Sequence, residues 1–247
     1  KRALTFGFRG GWLVNGARAS PTNFSSSCMG AQRPVICFLD QPIIHITFGL
    51  VEYSNLITVS ASGRKSISLT VMDTEFDLAW AYYCTVFGGQ NMELYVPQNN
   101  PYIVFSTYPS NNNCSTGSAP STPATARFKK FVKGSKAQPN PHLHKLGTVV
   151  NKRRPAAISK LLQGGTNRHV VGPDADIPVW DATAYFTRDA VPGSFDLEAI
   201  DSLPLCKRMY EEPSPSSLVA VFHSVTTYNQ PPTLSLNVLG ALVLVAD

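Results

Sequence analysis

Apolar and polar residues alternate along several stretches of the chain with the period of two that belongs to β-strands. In residues 66–72, SISLTVM, Ile67, Leu69 and Val71 alternate with Ser and Thr, which predicts a half-buried strand. Residues 217–228 carry a run of β-branched and aromatic groups, Leu218, Val219, Val221, Phe222 and Val225. After the turn cluster Asn229, Gln230, Pro231 and Pro232, a second run extends from Leu234 to Ala246. Two such runs around a Pro-rich turn predict long neighbouring strands. In the second run Leu234, Leu236 and Val238 alternate, then Ala241, Val243 and Val245 alternate in the opposite phase, so a bulge is expected at Leu239 and Gly240. The final residues are apolar on both faces, which predicts a central strand. The run stops at Asp247, and the chain is expected to be part of something longer.

The remaining candidates are shorter. Residues 4–14, LTFGFRGGWLV, place Leu4, Phe6 and Phe8 on one face before the Gly10-Gly11 pair, which predicts a strand with a bulge or a close backbone approach. Residues 35–39, 43–50 and 57–59 are further short strand candidates. Residues 76–87, FDLAWAYYCTVF, suit either a strand or a short helix, and the period does not choose between them. Residues 92–108 follow the Gly88-Gly89 turn and are interrupted by Pro97 and Pro101, which predicts an edge or a bend. Residues 195–203 suit a helix opened by Ser194. No internal repeat is present.

Composition agrees with this pattern. The chain has 247 residues, enough for one sizeable core, with 10% aromatic and only 15% charged residues, 19 Pro and 17 Gly. Low charge points to a surface partly covered by partners. No run of eighteen apolar residues occurs, so no membrane span is expected. The five cysteines, Cys28, Cys37, Cys84, Cys114 and Cys206, lack metal-ligand spacing and read as free thiols of a reducing compartment.

Charge is distributed unevenly. Residues 111–125 are Asn, Ser, Thr, Pro and Ala with almost nothing to bury, which predicts a loop or linker. Residues 127–168 then hold Arg127, Lys129, Lys130, Lys133, Lys136, Lys145, Lys152, Arg153, Arg154, Lys160 and Arg168, more than half of the 21 Lys and Arg. No Asp or Glu lies between Glu93 and Asp174.

Three stretches in order, FGFRGGWLV, MELYVPQNNPYIVF and LVAVFHSVTTYNQPPTLSLNVLGALVLVAD, resemble the fourth, seventh and last two strands of the jelly-roll capsid protein of picorna-like positive-strand RNA viruses, the insect and algal relatives most nearly. Together they span roughly 60 residues. The resemblance implies an all-β, eight-stranded antiparallel jelly-roll β-sandwich that lacks its first strands here. The whole of 1–247 would then be one domain with a long insertion at about 106–216. It implies a structural coat subunit that assembles with its own copies or sister subunits into an icosahedral shell around an RNA genome. Its location would be the virion, assembled in the host cytoplasm. It also implies that residues 4–14 pair with the last strand, and that the penultimate strand crosses to the opposite sheet.

The basic segment is the candidate contact for RNA phosphates or for a neighbouring subunit, through Arg127, Lys129, Lys130, Lys133, Lys136, Lys152, Arg153 and Arg154. With only Phe128 and Phe131 available to stack on bases, sequence readout is not expected. The segment's Leu143, Leu146, Val149, Val150, Leu161 and Leu162 are expected to pack on the barrel's exterior or on a neighbour. His142 and His144, two positions apart without a nearby Cys or acid, fall short of a metal-ligand set. Cys206, His223 and Asp201 could compose a nucleophilic triad on paper, but no nucleophile elbow surrounds them. No enzyme and no cofactor is expected. The competing class is a lectin-like jelly-roll module that recognises a glycan or peptide through its loops.

Overall fold

A computed structural model describes residues 6–27, 33–58, 63–89, 92–94, 102–107, 171–172, 174–187, 195–228 and 232–247. Its strands are β1 (Phe8–Arg9), β2 (Leu13–Val14), β3 (Ser25–Ser27), β4 (Val35–Phe38), β5 (Gln41–Pro42), β6 (Ile44–Ser54), β7 (Ser66–Thr70), β8 (Glu93–Leu94), β9 (Ile103–Ser106), β10 (Val179–Asp181), β11 (Lys207–Arg208), β12 (Leu218–Tyr228) and β13 (Thr233–Val245). The one α-helix among the described residues, α1 (Asp73–Val86), lies between β7 and β8. All thirteen strands belong to one mixed sheet, so the fold is mostly β.

The sheet is organised around β6, β12 and β13. β12 and β13 form an antiparallel ladder from Leu218↔Val245 to Tyr228↔Thr233, and β6 pairs antiparallel with β12 from Leu50↔Leu218 to His45↔His223. β6 continues to β7, β7 to β9, and β9 reaches β13 through the rung Asn237↔Ser106, which closes a ring of five strands. Alternation along the central strands sends side chains to two separate cores. One face gathers Val219, Val221, Val225, Leu236, Val238, Ile67, Leu69 and Phe105 with Trp80, Tyr82 and Tyr83 of α1. The other gathers Ala220, Phe222, Leu239, Leu242 and Leu244 with Ile44, Ile46, Trp180, Tyr185 and Phe195. Burial on both faces is why β13 carries no polar side chain after Asn237.

The expected bulge is present. Phe222 faces Gly240 and the next residue, His223, faces Val238, so Leu239 is the extra residue that lets the apolar phase change. Gly240 serves a second purpose, because a Cβ there would lie 3.2 Å from both the Pro178 carbonyl oxygen and the Trp180 ring. The β10 segment is thereby able to run parallel against β13, from Val179↔Ala241 to Asp181↔Val243.

Within the 4–14 stretch, the described residues 6–14 differ from expectation. Gly10 and Gly11 have φ of 61° and 78°, and they turn the chain so that Phe8 pairs with Val14 and Arg9 with Leu13. The glycines thus make a hairpin turn instead of a bulge. β2 then pairs parallel with β6, and neither arm pairs with β13. The neighbours of β13 opposite β12 are β8, β9 and β10. Accordingly Glu93–Leu94 lies beside β13 and not beside residues 4–14. The penultimate strand also stays in the sheet of the last one, because the β12–β13 ladder is satisfied over its whole length.

The strand-or-helix ambiguity over residues 76–87 is resolved as a helix, Asp73–Val86. Glu75 and Asp77 sit near its positive N-terminal end. At its other end Gly88, with φ of 66°, allows a Schellman closure in which Gly88 N–H reaches Thr85 O at 3.2 Å and Gly89 N–H reaches Cys84 O at 3.1 Å. Leu197–Ser202, expected as a helix, is a 3-10 turn.

Candidate functional site

Among the polar side chains that the fold buries most completely are two histidines. β6 and β12 each alternate, so the register that puts Ile46 and Phe222 on one face puts His45 and His223 together on the other. Both are fully buried, with ring centroids 5.7 Å apart and planes inclined by 29°. Tyr83 and Tyr82 of α1 meet His45 edge-on at 5.3 and 5.8 Å, and Phe105 of β9 lies 4.8 Å from His223. Thr47 Oγ1 is 2.9 Å from His223 Nε2 and also hydrogen-bonds with Tyr83.

Three of the four imidazole nitrogens, both of His45 and Nδ1 of His223, have no hydrogen-bond partner, nor does the Tyr82 hydroxyl. Burial opposes charge here. Desolvation, then the neighbouring His223, hold His45 well below the ordinary histidine value. Desolvation likewise lowers His223 to about 3. Tyr82 and Tyr83 are pushed up by desolvation, so the whole cluster is neutral at pH 7. A neutral imidazole can relay a proton, but these two are walled from solvent by aromatic rings.

A cavity of about 670 Å³ adjoins this cluster, lined by Thr47, Phe76, Tyr83, Phe105, Leu218 and Leu236 among others. The exposed Leu50 and Met72 are also at its wall, as are Arg18 and Glu75, which form an ion pair. The lining is overwhelmingly apolar and supplies few groups able to orient a polar ligand.

A third feature is the carboxylate of Glu212. It receives the N–H groups of Leu56, Ile57 and Thr58 at 2.8, 2.8 and 2.9 Å, together with the Ser54 hydroxyl at 2.7 Å. Burial alone would raise its pKa, but these donors prevail and hold it below the ordinary glutamate value. Three successive amides on one carboxylate pin the end of β6 to the segment that leads into β12.

Cys206 and His223 lie on opposite sides of the sheet. Cys206 packs with the Phe222 core, whereas His223, one residue on, points into the other. The strand alternation therefore keeps the thiol and the imidazole apart. Cys37, Cys84 and Cys206 are free thiols, the first two buried. Arg127, Lys129, Lys130, Lys133, Lys136, Lys152, Arg153 and Arg154 lie outside the described residues, as do His142, His144 and the apolar groups of residues 143–162. Among the described residues, no three of His, Cys, Asp and Glu stand close enough to hold a metal ion. No helix there is long and apolar enough to cross a membrane.

His45 escaped the sequence reading because a single His in an alternating strand carries no sign of its partner. The signal available lay in β12, where His223 shares its phase with Val219, Val221 and Val225; in β6, His45 shares its phase with Thr47 and Gly49 and gives no such sign. Compared with known proteins, the chain matches no protein-family model, no curated protein and no solved structure.

Proposed function

We propose that the chain is a structural coat-protein subunit, acting by assembly and not by catalysis, in a shell that encloses an RNA genome. The observation that carries this reading is the surface. Met72, Leu78, Tyr53, Leu39, Leu205 and Tyr210 are all more than half exposed, in a chain with only 15% charged residues. Large apolar groups exposed in this number suit burial against further subunits. The order of the three resembling stretches supports the same reading.

An eight-stranded jelly roll is the finer form of the proposal for the ancestry of these strands, with the β12–β13 hairpin and the β1–β2 hairpin as its departures. The virion, assembled in the host cytoplasm, is the proposed location. Other coat subunits are the proposed partners, and the basic residues 127–168 would meet genomic phosphates or a neighbour. The lectin-like alternative is weaker, because a glycan needs convergent polar groups and the cavity wall is apolar.

Sedimentation and negative-stain electron microscopy of the purified protein test this reading. Closed particles of uniform diameter are expected. A small species that stays monodisperse at high concentration and binds a glycan or peptide saturably overturns it.

A further inference from the structure

His45 and His223 occupy the terminal rung of the β6–β12 ladder. Beyond it β12 passes to another neighbour, since Thr226 pairs with Val35 of β4. His45 is at the same time paired with Val14 of β2. On the far side of β12 the register with β13 slips between Phe222 and His223, at the bulge. The rung therefore has a strand switch after it and an interrupted ladder beside it. Neither neighbouring ladder carries regular pairing straight through this point.

The surroundings give a cation nothing to bind. Across the rung each ring faces the other, α1 contributes the titratable Tyr82 and Tyr83, β9 contributes Phe105, and β13 contributes Val238 opposite His223. No carboxylate among the described residues hydrogen-bonds either ring, and Thr47 is the one side chain that does. An imidazolium pair here would be two like charges in an apolar, water-excluded space. Protons can be taken up only if the rings reach water, which requires the rung to part or α1 to lift.

We propose that the His45–His223 pair is an acid-operated release point at which β12 lets go of β6. Above neutral pH the uncharged rings stack and the seam stays shut. As pH falls below the value of free imidazole, about 6.5, the opened state gains protons that the closed state refuses. Opening begins at this rung because it ends the β6–β12 ladder and lies beside the register slip between β12 and β13. The device belongs to the chain itself, whatever it assembles with.

Hydrogen exchange of the purified chain, corrected for the intrinsic pH dependence of exchange, tests the idea at pH 7.5 and 5.0. With two rings that titrate only when open, the opening constant for residues 45–48 and 220–223 is expected to rise by about 1,000-fold. It should rise by about 30-fold in His45→Phe, which removes one titrating ring and forfeits no hydrogen bond. The distal β12–β13 rungs, from Thr226↔Ser235 to Tyr228↔Thr233, should respond far less. A seam that opens no more than those rungs, or one that opens equally in His45→Phe, overturns the proposal. Should His45→Phe fail to fold, imidazole nitrogen shifts of the wild-type chain decide the matter. Neutral rings in the folded protein at pH 5.0 support the device, and two protonated rings in an intact fold overturn it.

Discussion

The carboxylate of Glu212 accepts the backbone N–H of Ile57 at 2.8 Å across 155 residues of chain. With Leu56 and Thr58 also donating, one side chain closes the loop after β6. Glu212→Gln is expected to cost about 1–2 kcal/mol at pH 7, a charge-assisted set discounted for its partial exposure. The depressed pKa fixes the sign with pH. This stability is present above the unfolded value of about 4.3 and is lost as pH falls through the lower folded value. Urea titrations at pH 7 and pH 3 should therefore show the cost shrinking in acid, and a constant cost would contradict it.

Gly49 and Gly240 admit substitution unequally. A Cβ at Gly49 would stand 2.7 Å from the Thr70 carbonyl oxygen, which is backbone of the adjacent strand, whereas at Gly240 the nearest atoms are 3.2 Å away. Gly49→Ala should cost about 2–3 kcal/mol, and Gly240→Ala about 1 kcal/mol. Thermal midpoints of the two variants check the ranking, and a larger drop for Gly240→Ala would reverse it.

Cysteine labelling should follow burial. Desolvation, with Asp40 adding to it at Cys37, raises Cys37 to about 11, and desolvation raises Cys84 to about 11. At pH 8 both remain thiols away from solvent, so a disulfide reagent should reach them only as fast as the chain opens. Cys206, half-buried, should react well before them. Peptide mapping of time points reads the order directly.

If the basic segment meets phosphates, removing its charge should flatten the salt dependence of RNA binding. Replacing Lys152, Arg153 and Arg154 with Gln is expected to reduce the slope of log K against log salt by about 2, at about 0.7 per single-strand phosphate contact. Filter binding across a salt series measures this. An unchanged slope would place these three residues away from RNA.

What the sequence disclosed depended on how far each signal was local. The Leu239 bulge, the centrality of β13 and the two terminal strands were legible because phase and two-sided apolarity are written in consecutive residues. The β1–β2 hairpin was misread because Gly10-Gly11 permits either a bulge or a turn, and choosing between them depends on Ile44 and His45, the partners of β2. Residues 76–87 were ambiguous because Tyr82, Tyr83 and Cys84 are all buried, which blurs any single stripe; the acidic residues just before and within the first turns and the Gly88 stop carried the helical information. The buried histidine pair was invisible for a related reason. It exists only through a register between strands 178 residues apart, and no spacing rule reaches that far.

The placement of β12 and β13 at the centre of the sheet has a consequence for the growing polypeptide. β6 and β7 leave the ribosome long before either long strand that completes their ring, and they must wait through some 150 intervening residues. Until then β6 presents an open edge, with Ile44, Ile46 and Val51 uncovered, to any chain nearby. Pairings this distant are slow to close, so the interval between synthesis of β6 and arrival of the β12–β13 hairpin is the period in which a holding chaperone would matter most.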